Sequence, residues 1–136
     1  MGFRRINGMR SIEFGIPGES RAKLISMILD GNKRATAGLL EWDYVAQGEQ
    51  IEVVGEKLAV LDNEDKHIAT IEATRVEITE FSDVPDDFAI AEAEGDLNGE
   101  DFRASHYKFW TDIGYSISDQ TKVVLLYFDL IEDLRK

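Results

Sequence analysis

HIATIEATRVEITEF, residues 67–81, alternates Ile68, Thr70 and Glu72 against Ala69, Ile71 and Ala73. A two-residue period sends successive side chains to opposite faces, so the run predicts a long β-strand. KVVLLYFDLI, residues 122–131, is apolar and rich in β-branched residues, which predicts a strand buried on both faces. Working outward, KLAVLD (57–62) and IEVV (51–54) read as two further strands, with Asn63-Glu64-Asp65 turning the first of these into the 67–81 run. Ser11 to Gly15 reads as an opening strand stopped by Gly15, Pro17 and Gly18, and Leu39-Leu40-Glu41-Trp42 reads as a strand fed by the polar connection before it.

Helical periodicity occurs in three places. In ESRAKLISMILDG the apolar positions Leu24, Ile25, Ile28 and Leu29 fall on one face and Gly31 supplies a left-handed stop, which predicts a helix over 19–30. Pro85 followed by DDFAIAEAE predicts a short helix with acids in its first turn. GEDFRASHYKFW, entered by the Asn98-Gly99 turn, places Phe102, His106, Phe109 and Trp110 on one stripe. The resulting order is β-α-β-β-β-β-α-α-β, without the βαβ alternation of a parallel sheet. It predicts an α+β fold, a small mixed β-barrel with helices packed at its openings, as one domain over 1–136.

Twenty-seven acidic against fifteen basic side chains give a formal charge of −12. That balance argues against a general binder of long nucleic acid, which is held mainly by lysine and arginine on phosphates. The charge is uneven: residues 1–36 hold seven basic and three acidic residues, the remainder eight and 24, and Asp83–Asp101 holds eight acids and no base. Such asymmetry can mark a local anion-facing rim on an acidic body. Cysteine is absent, which excludes disulfides, thiolate zinc sites and a cysteine nucleophile. No run approaches 18 apolar residues and the amino terminus lacks an apolar signal core, so a cytoplasmic chain without membrane association is expected.

There is no G-x-x-x-x-G-K-[ST], G-x-G-x-x-G or G-x-S-x-G. Glu94–Gly99 imitates the start of a calcium loop, but Ser105 stands where a bidentate glutamate is required, so that site is rejected. No metal or cofactor is expected. His67 reads as a solvent-facing residue flanking its strand, and His106 as a packed residue at the edge of the core. The ring stripe Phe102/Phe109/Trp110 and the ring of Trp42 read first as packing, although a ring left accessible can stack a base. What remains is Gly31-Asn32-Lys33-Arg34-Ala35-Thr36, where a helix-ending glycine supplies the turn that lysine and threonine need to share a face. A lysine held against a cleft can bind an anion or, desolvated, serve as a base.

Pro17-Gly18-x-x-Arg21-x-x-Leu24 with Gly31-x-Lys33-x-Ala35-Thr36, followed by Ala91-Glu92-Ala93-Glu94-Gly95 and His106-x-x-Phe109-Trp110, resembles the ASCH domain family of the PUA-like superfamily over about residues 11–131. The resemblance implies a β-barrel with a cleft lined by the G-x-K-x-x-T segment, and an association with RNA or modified nucleosides. One bacterial branch hydrolyses the amide of N4-acetylcytidine with a lysine, a threonine and a glutamate; by motif these are Lys33, Thr36 and Glu94. Other members are ribonucleases or proposed RNA-binding adaptors, so a modified nucleoside or short RNA is the expected ligand, and enzyme and binding module both stand open. Arg21, Gly31, Arg34, Trp42, His106 and Trp110 are the candidate substrate-binding residues. The chain departs from the acetylcytidine branch at Ala37-Gly38, where that branch has an arginine two residues past the threonine.

Overall fold

The computed structural model describes residues 3–135. In chain order, β1 (Arg5–Ile6) and β2 (Met9–Ile12) form a small hairpin, and α1 (Glu19–Leu29) leads into β3 (Ala35–Leu39) and a π-helical turn, Leu40–Val45. Next come β4 (Lys57–Leu61), β5 (His67–Glu80), a 3-10 turn at Phe81–Asp83, α2 (Asp86–Glu92), α3 (Gly99–Asp112) and β6 (Lys122–Asp133). The strands make one six-stranded sheet in the order β1-β2-β4-β5-β6-β3. The β2–β4 pair is parallel and the other pairs are antiparallel.

The α+β class is as expected, but the sheet is open where a closed barrel was expected: β1 and β3 are its two ends. The β1–β2 hairpin pairs only Arg5 with Arg10 and Ile6 with Met9, so it covers little of β2. The segment following β2 then turns away at Gly15, whose φ of +65° suits glycine. Ser11–Phe14 from one end of the strand order and Thr36–Gly38 from the other both line a cavity of about 590 Å³. The ends of the sheet therefore face one another across a cleft, which occupies the place of a barrel's closing seam.

β6 is the hinge of the packing. Leu126 and Phe128 join a core with Ile25 and Ile28 of α1, while Val123 and Leu125 join a second core with Phe88 of α2 and with Phe102 and Trp110 of α3. A strand covered on both faces explains the near-continuous apolar reading of 122–131. On β5 the alternation survives two register shifts, at Thr70/Ile71 and Ala73/Arg75, and Ala69, Ile71 and Ala73 are all buried. His67, expected in solvent, is half-buried with Nε2 2.9 Å from Thr70 Oγ1.

Two other expectations change. The strand through Leu39–Trp42 stops at Leu39, because the Asp43 carboxylate accepts the Leu39 N–H (2.7 Å) and Ala46 N–H donates to Glu41 O (2.8 Å), closing a wide turn. IEVV (51–54) forms no strand. Its inward residue is Glu52, 6% exposed, while Val53 and Val54 are 65% and 68% exposed. Two of the three apolar residues of the expected strand thus face solvent, and Glu56 N–H donates back to Val53 O in a turn through Gly55.

Among the described residues no helix is long and apolar enough to cross a membrane. The packing is open to direct measurement. Phe88→Ala, at a fully buried ring, is expected to lower unfolding free energy by about 3–5 kcal/mol in urea titration. Val54→Thr is expected to stay within about 0.5 kcal/mol; a loss of more than about 1.5 kcal/mol would contradict the solvent-facing position of Val54.

Candidate functional site

The end of α1 sets the first component. Gly31, at φ +82°, takes the left-handed position, and Asn32 and Lys33 N–H groups both donate to Met27 O at 3.0 and 3.1 Å. This turn directs the Lys33 side chain inward, where it is fully buried. Its ammonium donates to Ala35 O (2.8 Å), Glu92 O (3.2 Å) and Glu94 Oε2 (2.5 Å). A lysine ammonium has three protons, and here each has an acceptor.

Two of the three acceptors come from the end of α2. Ala93 (φ +59°) and Gly95 (φ +100°) bend the chain so that one residue's carbonyl and the next carboxylate but one meet the same ammonium. Arg34 N–H donates to Ala91 O (2.8 Å), stitching the two turns together.

The Glu92 carboxylate lies on the other side of this turn, 2% exposed. Its Oε1 is 3.3 Å from His106 Nε2, outside hydrogen-bond alignment, and has no hydrogen bond among the described residues. His106 is stacked on Phe102 at 3.8 Å between ring centroids and lies 5.2 Å from the Trp110 ring. Its Nδ1 is 3.1 Å from Phe102 O, which makes Nδ1 a protonated donor. Burial pulls the imidazolium down, but the contact and charge of Glu92, the charge of Glu94 and the Phe102 carbonyl outweigh it, and the net shift is upward. Burial pushes the Glu92 carboxyl up, offset only in part by His106 and Lys33. Asp96 Oδ2 lies 3.8 Å from His106 Nδ1, so the imidazole has a carboxylate near each ring nitrogen.

Glu92, Glu94, Asp96 and His106 line a compartment of about 320 Å³ together with Thr36 and Trp110, while Lys33 borders a depression over α1 and β6. The compartment adjoins the larger cavity of about 590 Å³, and Glu13, Phe14, Thr36 and Ala37 belong to both. In the larger compartment Tyr44 Oη donates to Glu52 Oε1 at 2.8 Å, and burial pushes the ionisation of both upward. Burial also raises Asp43, partly offset by the Leu39 N–H. Gly38 is glycine for reasons of space: a Cβ there would lie 3.2 Å from Tyr44 Cε1 and 3.4 Å from Asp43 Oδ2.

The structure brings Lys33 and Glu94 into contact and places Thr36, His106 and Trp110 around the same compartment. Four other candidates lie elsewhere. Arg21 Nε and Nη2 donate to Phe14 O (3.1 Å) and Gly15 O (3.2 Å), so it braces the cavity wall from behind. Gly31 and Arg34 border a shallow depression over α1 and β6, with Arg34 paired to Asp129 at 2.9 Å. Trp42 stacks on Tyr115 (5.4 Å, 13°) beside a separate depression. Asn98, from the calcium-loop imitation, caps α3 by accepting from Asp101 N–H at 2.8 Å.

The expected basic rim is not formed by these side chains. Arg10 is held bidentately by Glu56 and by the Gln50 carbonyl, Arg5 by Glu49, and Lys33 by Glu94. Acids dominate the cleft, Glu13, Asp43 and Glu52 on one side and Glu92, Glu94 and Asp96 on the other, with Arg4 the base among the residues lining the larger compartment. Tyr44, Glu52 and Glu92 escaped the sequence reading. Only Glu92 left a signal, in Ala91-Glu92-Ala93-Glu94-Gly95.

With this geometry in place, a model of the ASCH domain matches residues 10–132. The chain belongs to the ASCH domain family. Two crystal structures are similar to this ASCH domain. An ASCH domain from Lactobacillus crispatus JV V101 is 27% identical with a TM-score of 0.75, covering 91% of this chain and 82% of that one. Protein EF3133 from Enterococcus faecalis V583 is 24% identical with a TM-score of 0.77, covering 90% and 76%, and shows likeness of fold. No curated protein matches the chain.

The charge balance of the ASCH-domain compartment has a measurable sign. A histidine raised by folding stabilises fully below its unfolded value of about 6.5 and loses that contribution as pH rises through its folded value. The gap in thermal midpoint between the wild type and His106→Gln is therefore expected to be largest near pH ~6 and to narrow toward pH ~9. A gap independent of pH would place no titrating proton at His106.

Proposed function

We propose that the cleft binds a modified nucleoside and hydrolyses the amide of an N4-acylated cytidine. The observation that supports this reading best is the contact of the buried Lys33 ammonium with the partly exposed Glu94 carboxylate, 2.5 Å apart, beside a compartment that Glu94 and Thr36 both line. Amide hydrolysis needs a nucleophile, a base that takes its proton, and an acid for the leaving amine. Thr36 Oγ, or a water beside it, attacks the carbonyl carbon. Its proton passes to Lys33, whose own proton Glu94 is placed to receive. The C–N bond then breaks, and the same pair returns a proton to the cytosine amine. On the threonine route, a water hydrolyses the acyl ester and frees Thr36.

The acidic lining favours a neutral ligand rich in N–H donors over a chain of phosphates, because Glu13, Asp43 and Glu52 would repel each phosphate brought near. The accessible aromatic surface at Phe109, 39% exposed, offers a face for a base. The ASCH family is linked generally to RNA binding, and a short-RNA adaptor or ribonuclease is the second reading. Its support is the family membership itself.

Purified protein is expected to release cytidine from N4-acetylcytidine. Lys33→Met is expected to lower kcat by about 10²–10⁴, and Thr36→Val separates threonine attack, which it abolishes, from water attack, which it spares. Turnover unchanged in Lys33→Met would remove Lys33 from the chemistry. Binding to RNA oligomers that weakens steeply with salt, with no nucleoside turned over, would instead support the second reading.

A further inference from the structure

We propose that Glu92, Glu94 and His106 form a binding site for one borderline divalent cation, Zn²⁺ or Mn²⁺, open to the smaller compartment of the cleft. One ligand atom from each of the three residues lies within 4.8 Å of the others, a spread that bonds of about 2.0–2.2 Å to a common centre span with small side-chain adjustments. All three residues line the same cavity, so the remaining coordination positions face space for water or ligand.

Two further observations point to a cation. Glu92 Oε1 is buried, lines the compartment and has no hydrogen bond among the described residues. An orphaned carboxylate oxygen in a buried position costs free energy unless a cation or proton meets it. His106, in turn, is arranged as a ligand. The proton sits on Nδ1, which donates to Phe102 O (3.1 Å), so in the neutral ring Nε2 is an unprotonated acceptor, 3.3 Å from Glu92 Oε1. Fixing the second ring nitrogen on a carbonyl is the usual outer support of a metal-bound histidine. Two acceptors this close are stabilised by a shared cation or by a proton.

The charge count agrees. Glu92, Glu94 and Asp96 against Lys33 leave two negative charges around a neutral His106. One divalent cation neutralises them, and so do two protons, one on His106 and one on Glu92. Metal and protons therefore compete. One imidazole and two carboxylates suit a borderline ion; Ca²⁺ needs more oxygen ligands, and Mg²⁺ avoids nitrogen. Lys33 opposes the metal, because its ammonium already holds Glu94 Oε2. The cation would use Glu94 Oε1.

Isothermal titration of EDTA-treated, desalted full-length protein with ZnCl₂, MnCl₂ and MgCl₂ tests the site without any substrate, so its outcome is separate from that of amide hydrolysis. One equivalent of Zn²⁺ or Mn²⁺ is expected to bind with release of protons, more tightly at pH ~8 than at pH ~6. Glu92→Gln and His106→Gln, each checked for folding by circular dichroism, are expected to weaken binding at least about tenfold. Mg²⁺ is expected to give no saturable heat. The proposal is overturned by the absence of saturable Zn²⁺ or Mn²⁺ binding below about 1 mM. It is equally overturned by binding that persists unchanged in the folded glutamine variants.

Discussion

The interior ammonium of Lys33 constrains more of this ASCH domain than any other group. A lysine charge without exposure to water must be fully met by acceptors, and the structure meets it with Ala35 O, Glu92 O and the Glu94 carboxylate. Those acceptors belong to the start of β3 and the end of α2, elements more than fifty residues apart in sequence. Leaving a buried charged donor short of an acceptor commonly costs at least about 1–3 kcal/mol. The lysine therefore docks the α2 turn onto the start of β3, and the compartment that holds Glu92, Glu94 and His106 exists because that turn is docked.

The open sheet has the same consequence at larger scale. If the two ends of the strand order were zipped together, their backbone groups would be paired and the seam would be filled. Here Ser11–Phe14 and Thr36–Gly38 stand apart and line a cavity, with Tyr44, Glu52 and Asp43 gathered over β3. Gly38 lets Tyr44 approach that strand. The cavity is thus bounded by strand backbone on two sides and by acids above, a setting suited to a flat, N–H-bearing heterocycle.

How much of this is readable in the chain follows from where the information lies. Helix α1, with its Leu24/Ile25/Ile28 face and Gly31 stop, and strands β4, β5 and β6 are dictated locally, by period and by turn residues. Leu39–Trp42 and Ile51–Val54 are not, because in both a polar side chain overrides the apolar pattern. Asp43 captures the Leu39 N–H, and Glu52 turns inward to Tyr44 while the valines turn out. Openness of the sheet depends on the shortness of β1, which two residues of sequence do not announce. At the site, Lys33 and Glu94 were nameable by motif, but their contact is a product of tertiary folding. The electrostatics depart most from the sequence: the basic N-terminal third suggests a rim, whereas Arg5, Arg10, Arg21 and Arg34 are tied to Glu49, Glu56 and Asp129 and to backbone carbonyls, leaving Arg4 on the larger cavity.

The central claim is that a ligand in the cleft is sensed at the Lys33–Glu94 pair. A ¹⁵N NMR titration that follows the buried Lys33 ammonium while the product nucleoside cytidine is added tests it most directly. The account predicts a resonance protected from solvent exchange that shifts saturably with the nucleoside, together with the His106 ring signals. A rapidly exchanging Lys33 signal, or a nucleoside response confined to the Trp42–Tyr115 surface with Lys33 and His106 unmoved, would contradict it.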